Sequence, residues 1–319
     1  MVIQYRIEKN EIEVLRCYGN TRTVILPREI DKIPVTSVAP YAFSRSKEEE
    51  KGNVCWYREM PDEDPAKLPE ICGETVHEIV FPDTVEKIGN YIFYGCKNLK
   101  TLELTDRLMQ IGSGAFTGCL SLSELVIHLK SGEVSCLKEI TDEIRKEMKV
   151  TLSYEMDERQ TAKLIFPEHY EEAVENTPAR LLVTQHHGSG GYYRQCFYDK
   201  KVDYRKYDEQ FPKSVVMDSK ELVVEILFRR LQYPYGLWSN AREMYLDYLR
   251  ENLVSVMEIL AKMDALERMQ MIGDQGFYTR EAMDAAIEEA SKLPNSQSLG
   301  YLMNEKYRLY PVEKKTFDL

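Results

Sequence analysis

The sequence predicts an α+β, multidomain chain: a short amino-terminal β-solenoid followed by an all-α domain of antiparallel helix pairs. Three observations carry this. Val76-His-Glu-Ile79-Val-Phe81 returns 23 residues later as Leu99-Lys-Thr-Leu102-Glu-Leu104, and after the same interval as Leu122-Ser-Glu-Leu125-Val-Ile127. A fixed period of this length marks stacked coils, each one supersecondary unit. The period also holds between these segments, where Ile88-Gly89 returns as Ile111-Gly112, Phe93 as Phe116, and Gly95-Cys96 as Gly118-Cys119. From Asp218 onward the apolar spacing turns helical.

We divide the chain into a solenoid over 1–132, a mixed α/β capping region over 133–211 and a helical domain over 212–319. At the amino terminus, Tyr5 and Ile7 alternate with polar neighbours, Lys9-Asn10 supplies a turn, and Ile12 and Val14 resume the alternation. This is the pattern of a β-hairpin, placed to cap the first coil. A degenerate coil follows from Val24-Ile-Leu26-Pro27 through Ile30, Ile33 and Val38 to Tyr41-Ala-Phe43. Val38 lies as far from Phe43 as Ile88 does from Phe93. Residues 44–70 break the period as an inserted loop. The runs Glu48-Glu49-Glu50 and Asp62-Glu63-Asp64 read as a solvated acidic excursion, with Cys55-Trp56-Tyr57 as the feature favouring a partner-binding loop instead.

In each good coil the first, fourth and sixth residues of the strand point inward and stack on their equivalents in the next coil. Phe93 and Phe116 fill the opposite wall, and Cys96 and Cys119 are expected as small buried apolar residues. Gly89, Gly112, Gly95 and Gly118 fall where a tight coil must turn. Beyond Ile127 the register fades. We expect a helix over 139–148, strands over 150–152 and 163–166, and a helical turn over 170–175. Leu181-Leu-Val183 and Tyr192–Tyr198 are expected to pair as a hairpin around a glycine-rich turn. In the helical part, Asp218-Ser-Lys-Glu221 reads as a capping box. Ser239 or Asn240, Asn252, Asp264 and Thr279 read as helix starts, Gly273 as a stop, and Leu299, Leu302 and Met303 as one face of a last helix. About six helices are expected.

The phrases Phe81-Pro-Asp-Thr-Val-Glu-Lys-Ile-Gly-Asn-Tyr-Ile-Phe-Tyr-Gly-Cys96 and Ile111-Gly-Ser-Gly-Ala-Phe-Thr-Gly-Cys119 resemble the bacterial leucine-rich repeats of the BspA type over about residues 20–130. The carboxy-terminal half is similar in style to ankyrin or HEAT helix pairs. The resemblance implies a non-enzymatic recognition role and names no ligand.

Composition narrows the partner. With a net charge of −11 the chain is a poor match for nucleic acid, and it contains no basic stripe for a membrane surface. No segment approaches the ~20 apolar residues that span a bilayer. The amino terminus lacks a cationic start followed by an apolar stretch. Seven scattered cysteines then suit reduced thiols, and a cytoplasmic location is expected, with secretion requiring a leader trimmed from this sequence.

A protein partner is therefore the first expectation. If Val76, Ile79 and Phe81 face inward, then His77, Glu78 and Val80 face outward. Their equivalents are Lys100, Thr101 and Glu103, then Ser123, Glu124 and Val126. These nine form the candidate interaction surface, a mixed-charge patch suited to a polar protein. No cofactor, metal or catalytic residue is assigned. The tyrosine-rich segment 192–207 offers a second reading, a carbohydrate or peptide platform, against packing between the domains. His186, His187 and Cys196 offer a third, a thiol- or metal-dependent hydrolase. Against it, no Lys-Ser/Thr follows the glycines of His186-His187-Gly-Ser-Gly-Gly191, no strand–loop–helix context is evident, and His169 is the nearest further histidine.

Overall fold

The computed structural model describes residues 1–47, 52–60, 64–156, 160–176 and 181–311, with side chains omitted for 173–176 and 181–186. The acidic runs at 48–50 and 62–63 and the side chain of His186 lie outside the described residues. The chain forms two compact units, one of Met1–Asp218 with Tyr233–Gly236, the other of Ser219–Gln232 with Leu237–Leu319.

In the first unit, β1 (Val2–Glu8) and β2 (Glu11–Tyr18) are the expected antiparallel hairpin. Its turn residues Lys9 and Asn10 are both left-handed, at φ 51° and 65°, the geometry that suits the twist of a two-residue hairpin. Next come β3 (Thr23–Ile25), β4 (Glu29–Ile30) and β5 (Ile33–Val38). β5 runs parallel to β2 and joins the hairpin to the coils. The insertion then contributes a strand of its own, β6 (Cys55–Arg58), antiparallel to β1, so it is an added edge strand as well as a loop. Buried Arg16 ties the stems of the insertion together. Its guanidinium donates to the carbonyls of Ser44 at 2.6 Å and Ser46 at 2.8 Å and pairs with Glu70 at 3.2 Å.

The two regular coils supply β7 (Glu78–Val80), β8 (Lys87–Ile88), β9 (Thr101–Thr105), β10 (Gln110–Ile111) and β11 (Glu124–Leu129). One further coil follows, with α1 (Leu137–Glu143) in place of its second strand and β12 (Met148–Tyr154) as its rung. Five parallel rungs thus stack in the order β3, β7, β9, β11, β12, and β13 (Gln160–Phe166) closes the end antiparallel. The opposite wall runs β10, β8, β5, β2, β1, β6.

The core between the walls is the ladder read from the sequence. Ile79, Leu102 and Leu125 occupy matched positions on neighbouring rungs and are buried, as are the residues flanking them in each motif. The rings of Phe43, Phe93 and Phe116 stack with centroids 5.7 Å apart at each step. Glycine serves two purposes here. Gly95 and Gly118 are left-handed, at φ 76° and 80°. Gly112 instead has backbone against it, since a Cβ would sit 2.3 Å from the carbonyl carbon of Gly89.

Beyond the coils three sequence expectations are corrected. The helix expected over 139–148 ends at Glu143, because Met148, Val150 and Leu152 resume a period of two and bury as strand residues. The helical turn expected over 170–175 is a strand, β14 (Tyr170–Asn176), and it is this strand that pairs with β15 (Leu181–His187). The partner expected for that strand, Tyr192–Tyr198, instead begins inside the single helical turn α2 (Gly190–Tyr193). Burial of Tyr193 and Cys196, three residues apart, rewards a helical turn over a strand at this point. A small hairpin, β16 (Phe197–Tyr198) with β17 (Lys201–Val202), leads into α3 (Tyr204–Glu209) and α4 (Phe211–Met217). The Tyr233–Gly236 segment also belongs to this unit. Tyr235 stacks on Tyr154 at 3.8 Å, and Pro234 bridges Ala162 on the outer edge of β13.

The second unit is helical throughout its regular structure: α5 (Lys220–Gln232), α6 (Ser239–Glu251), α7 (Leu253–Lys262), α8 (Leu266–Asp274), α9 (Arg280–Ala290) and α10 (Gln297–Leu309). α7 packs on α9, and α9 on α10. Thr279 caps α9 as expected, accepting from the Ala282 amide at 3.2 Å. Two expected starts move. The cap of α5 falls on Ser219, which accepts from Leu222, because both Asp218 oxygens are taken by Ser189. Asp264 leaves α8 alone and caps α10 from a distance, accepting from the amides of Gln297 and Ser298 at 3.1 and 3.0 Å. Gly273 lies inside α8, where a Cβ would meet the Tyr278 ring at 2.8 Å. Asn252 precedes α7, but its amide donates back to Tyr248.

Candidate interaction surface

Strand pleating sends alternate residues to opposite faces of a sheet, so the inward ladder fixes what its outer face presents. Glu78, Thr101 and Glu124 stand in one row across β7, β9 and β11, and Val80, Glu103 and Val126 in a second. His77, Lys100 and Ser123 form a third row just before the strands. It is held by backbone bonds from Lys100 N to His77 O at 2.8 Å and from Ser123 N to Lys100 O at 3.1 Å. Glu78, Val80, Thr101, Glu103, Glu124 and Val126 thus share one face of the sheet, and Lys100 reaches it through its contact with Glu124.

Their side chains pair across rungs. Lys100 Nζ lies 3.4 Å from Glu124 Oε1, and the Thr23 hydroxyl donates to Glu78 at 3.0 Å. Glu103 contacts His128 Nε2 at 3.0 Å, and the other ring nitrogen of His128 faces Glu155 at 3.3 Å. Val80 and Val126 lie between these polar pairs, partly exposed. The face is a mosaic of both charge signs with small apolar gaps, chemistry suited to a polar macromolecular surface.

The rows continue onto the coil read at Val24-Ile-Leu26 and the strand read at 150–152, for which no outward residues were assigned from the sequence. Thr23 and Ile25 extend the rows on one side and Lys149 and Thr151 on the other, all in register. Ile25 is 60% exposed. The signal for the far rung was the alternation in Met148-Lys-Val-Thr-Leu-Ser-Tyr154, displaced from the 23-residue period by two positions.

The competing constellations come apart. Cys196 is buried, its thiol donates to the Tyr192 carbonyl at 3.3 Å, and burial pushes its pKa up to about 12. His187 stacks on Tyr170 at 4.4 Å and pairs with Glu172 at 3.4 Å. Ser189 does sit between a strand and a helical turn, contrary to expectation, yet it is fully buried and bonded to Asp218 and Ser214. Among the described residues no group of three His, Cys, Asp or Glu side chains could hold a metal ion. The tyrosine-rich segment is divided between the core and the surface, with Tyr192 and Tyr198 exposed. Tyr193 and Tyr207 are fully buried against each other at 4.7 Å, and Phe166 stacks on Phe197 at 5.9 Å. That packing lies within the first unit, where packing between domains was the expectation. No helix among the described residues is long and apolar enough to cross a membrane.

Parallel rungs at a fixed interval, an inward aliphatic ladder and an aromatic opposite wall define a leucine-rich-repeat solenoid followed by a helical region. Residues 72–150 match the family described as BspA type Leucine rich repeat region, in six copies. Among solved structures it is similar to the T. pallidum leucine rich repeat protein TpLRR, at 19% identity over 42% of this chain and 73% of that one, with a TM-score of 0.23. No curated protein matches the sequence.

Proposed function

We propose that this chain is a non-enzymatic interaction scaffold that binds a protein partner through the outer face of its parallel sheet. The observation that carries this reading is the three-by-three array of His77, Glu78, Val80, Lys100, Thr101, Glu103, Ser123, Glu124 and Val126 on consecutive rungs. A solenoid holds such side chains at fixed spacing, so little ordering entropy is lost when a partner docks. A cytoplasmic setting is supported by seven free thiols, five of them buried.

The Lys100–Glu124 pair gives a decisive test. Lys100→Glu with Glu124→Lys keeps an ion pair at this position while reversing the pattern a partner meets. Immobilised wild type and the double variant are compared by quantitative pull-down from lysate, with thermal unfolding measured alongside. Loss of specific partners at unchanged melting temperature supports the reading. An identical retained set removes the sheet face from the proposal.

A further inference from the structure

The wall that runs β10, β8, β5, β2, β1, β6 ends on β6, and among the described residues no strand pairs with the outer edge of β6. The register shows which of its main-chain groups are open. Ile3 opposes Tyr57 and Tyr5 opposes Cys55, while the amide of Glu59 donates to the carbonyl of Met1 at 3.2 Å. Bonded positions alternate along an antiparallel pair, so Cys55, Tyr57 and Glu59 direct their N–H and C=O groups at β1. Those of Trp56 and Arg58 point the other way and have no partner among the described residues. The two side chains share one face of the strand. Trp56 leans on Tyr18, with ring centroids 5.4 Å apart, and is still 41% exposed. Arg58 is exposed and makes no ion pair among the described residues.

We propose that β6 pairs antiparallel with β6 of a second copy of this chain, about a twofold axis at Tyr57, joining the two sheets edge to edge. A twofold contact is self-complementary, so the strand's own sequence decides the register. Centred on Trp56, only the Trp56 positions of the two copies bond to each other within the strand. Centred on Arg58, only the Arg58 positions do, and like charges directly opposite destabilise a sheet pair. Centred on Tyr57, Trp56 of each copy opposes Arg58 of the other, and both pairs exchange their main-chain hydrogen bonds. Each guanidinium then comes within reach of an indole, whose face attracts a cation. A charge on a sheet edge ordinarily guards against self-association, whereas here the symmetry sets that charge beside an aromatic ring. A contact of this size gives a weak, reversible complex. The edge belongs to the wall opposite the parallel rungs, and the inference stands whether or not their outer face binds a protein.

The test is sedimentation equilibrium of the full-length protein from about 5 to about 500 µM, with Trp56→Ala and Arg58→Pro run in parallel. Proline at 58 removes an N–H that β1 does not use, so that variant is expected to fold, and an unchanged melting temperature checks this. The expected result is a monomer–dimer equilibrium with a Kd on the order of 10–100 µM, weakened about tenfold or more in each variant. A protein that stays monomeric throughout, or a dimer as tight in either folded variant as in wild type, overturns the proposal. The register is read by cross-linking in a Cys55→Ser background. Tyr57→Cys places two thiols across the axis within disulfide reach, whereas Arg58→Cys sets them out of step. Oxidation followed by peptide mapping should join two copies through position 57 and not through position 58. Absence of the link at 57 overturns the register even where Trp56→Ala weakens the dimer.

Discussion

The thiol of Cys96 donates to the carbonyl of Phe43 one coil earlier, at 3.1 Å, and Cys119 repeats the contact with Phe93 at 3.4 Å. The repeat thus uses its cysteines as interior groups that bind each coil to the preceding one. Burial pushes the Cys17, Cys96 and Cys136 thiols up to about 12 and raises Cys119 further. Reactivity requires the thiolate. With a thiol-reactive probe at neutral pH, labelling of the native protein should be confined to Cys55 and Cys72, the two partly exposed cysteines. The other five should react only after denaturation. Rapid native labelling at Cys196 would instead restore the thiol-enzyme reading.

Phe93 is the middle ring of a three-ring stack and is fully buried. Phe93→Ala should cost about 3–5 kcal/mol, since it removes a buried aromatic side chain and leaves a cavity. Urea denaturation followed by circular dichroism measures this. A cost under about 1 kcal/mol would mean the stack is not a packed core.

Glycine positions in the coils should differ sharply in tolerance. At Gly112 an added methyl would lie 2.3 Å from the backbone of the preceding coil, whereas at Gly132 nothing stands within 4 Å. Gly112→Ala should destabilise by about 2–3 kcal/mol or more. Gly132→Ala should change stability by at most about 1 kcal/mol. Thermal unfolding of the two variants gives the comparison.

Asp264 links pH to the stability of the helical unit. Hydrogen bonds from Ser298, Gln297 and Ser296 hold its carboxyl well below the ordinary value of 3.8. A carboxylate with a depressed native pKa binds protons more weakly folded than unfolded. Its contribution is therefore present above pH 3.8 and is lost as pH falls from there toward the native value. Asp264→Asn should melt below wild type near neutrality, and the gap should narrow as pH falls through about 4 toward 2. A gap that stays constant with pH would show that the charge is not what caps α10.

Much of this was legible because solenoid coils are local. The ladder, the hairpin, the aromatic wall and the two strand rows of Glu78, Thr101 and Glu124 and of Val80, Glu103 and Val126 follow from side-chain period and a repeated interval. The next coil was lost because α1 replaces the Phe and Gly-Cys signals and shifts the rung of Val150 out of the interval. β14 and β15 were misread for a different reason. Pairing between strands is set by partners that sequence adjacency does not name, and a glycine-rich run looks like a turn whichever strand follows it. Buried Arg194 left no trace in the sequence, since it donates to five carbonyls gathered from 141–146, 167 and 190. Asp264 likewise looked like a local cap, and only tertiary packing brings it to Ser296–Ser298.

The candidate surface exists only if Glu78, Thr101 and Glu124 share one row. Paired cysteines test that register directly, because a disulfide requires Cα atoms about 4.4–6.8 Å apart. Oxidation of Glu78→Cys/Thr101→Cys, followed by peptide mapping, should yield the engineered cross-link in the folded protein, whereas Glu78→Cys/Val126→Cys, two rungs apart and out of register, should not. A cross-link in the second pair but not the first would contradict the stacking on which the surface is built.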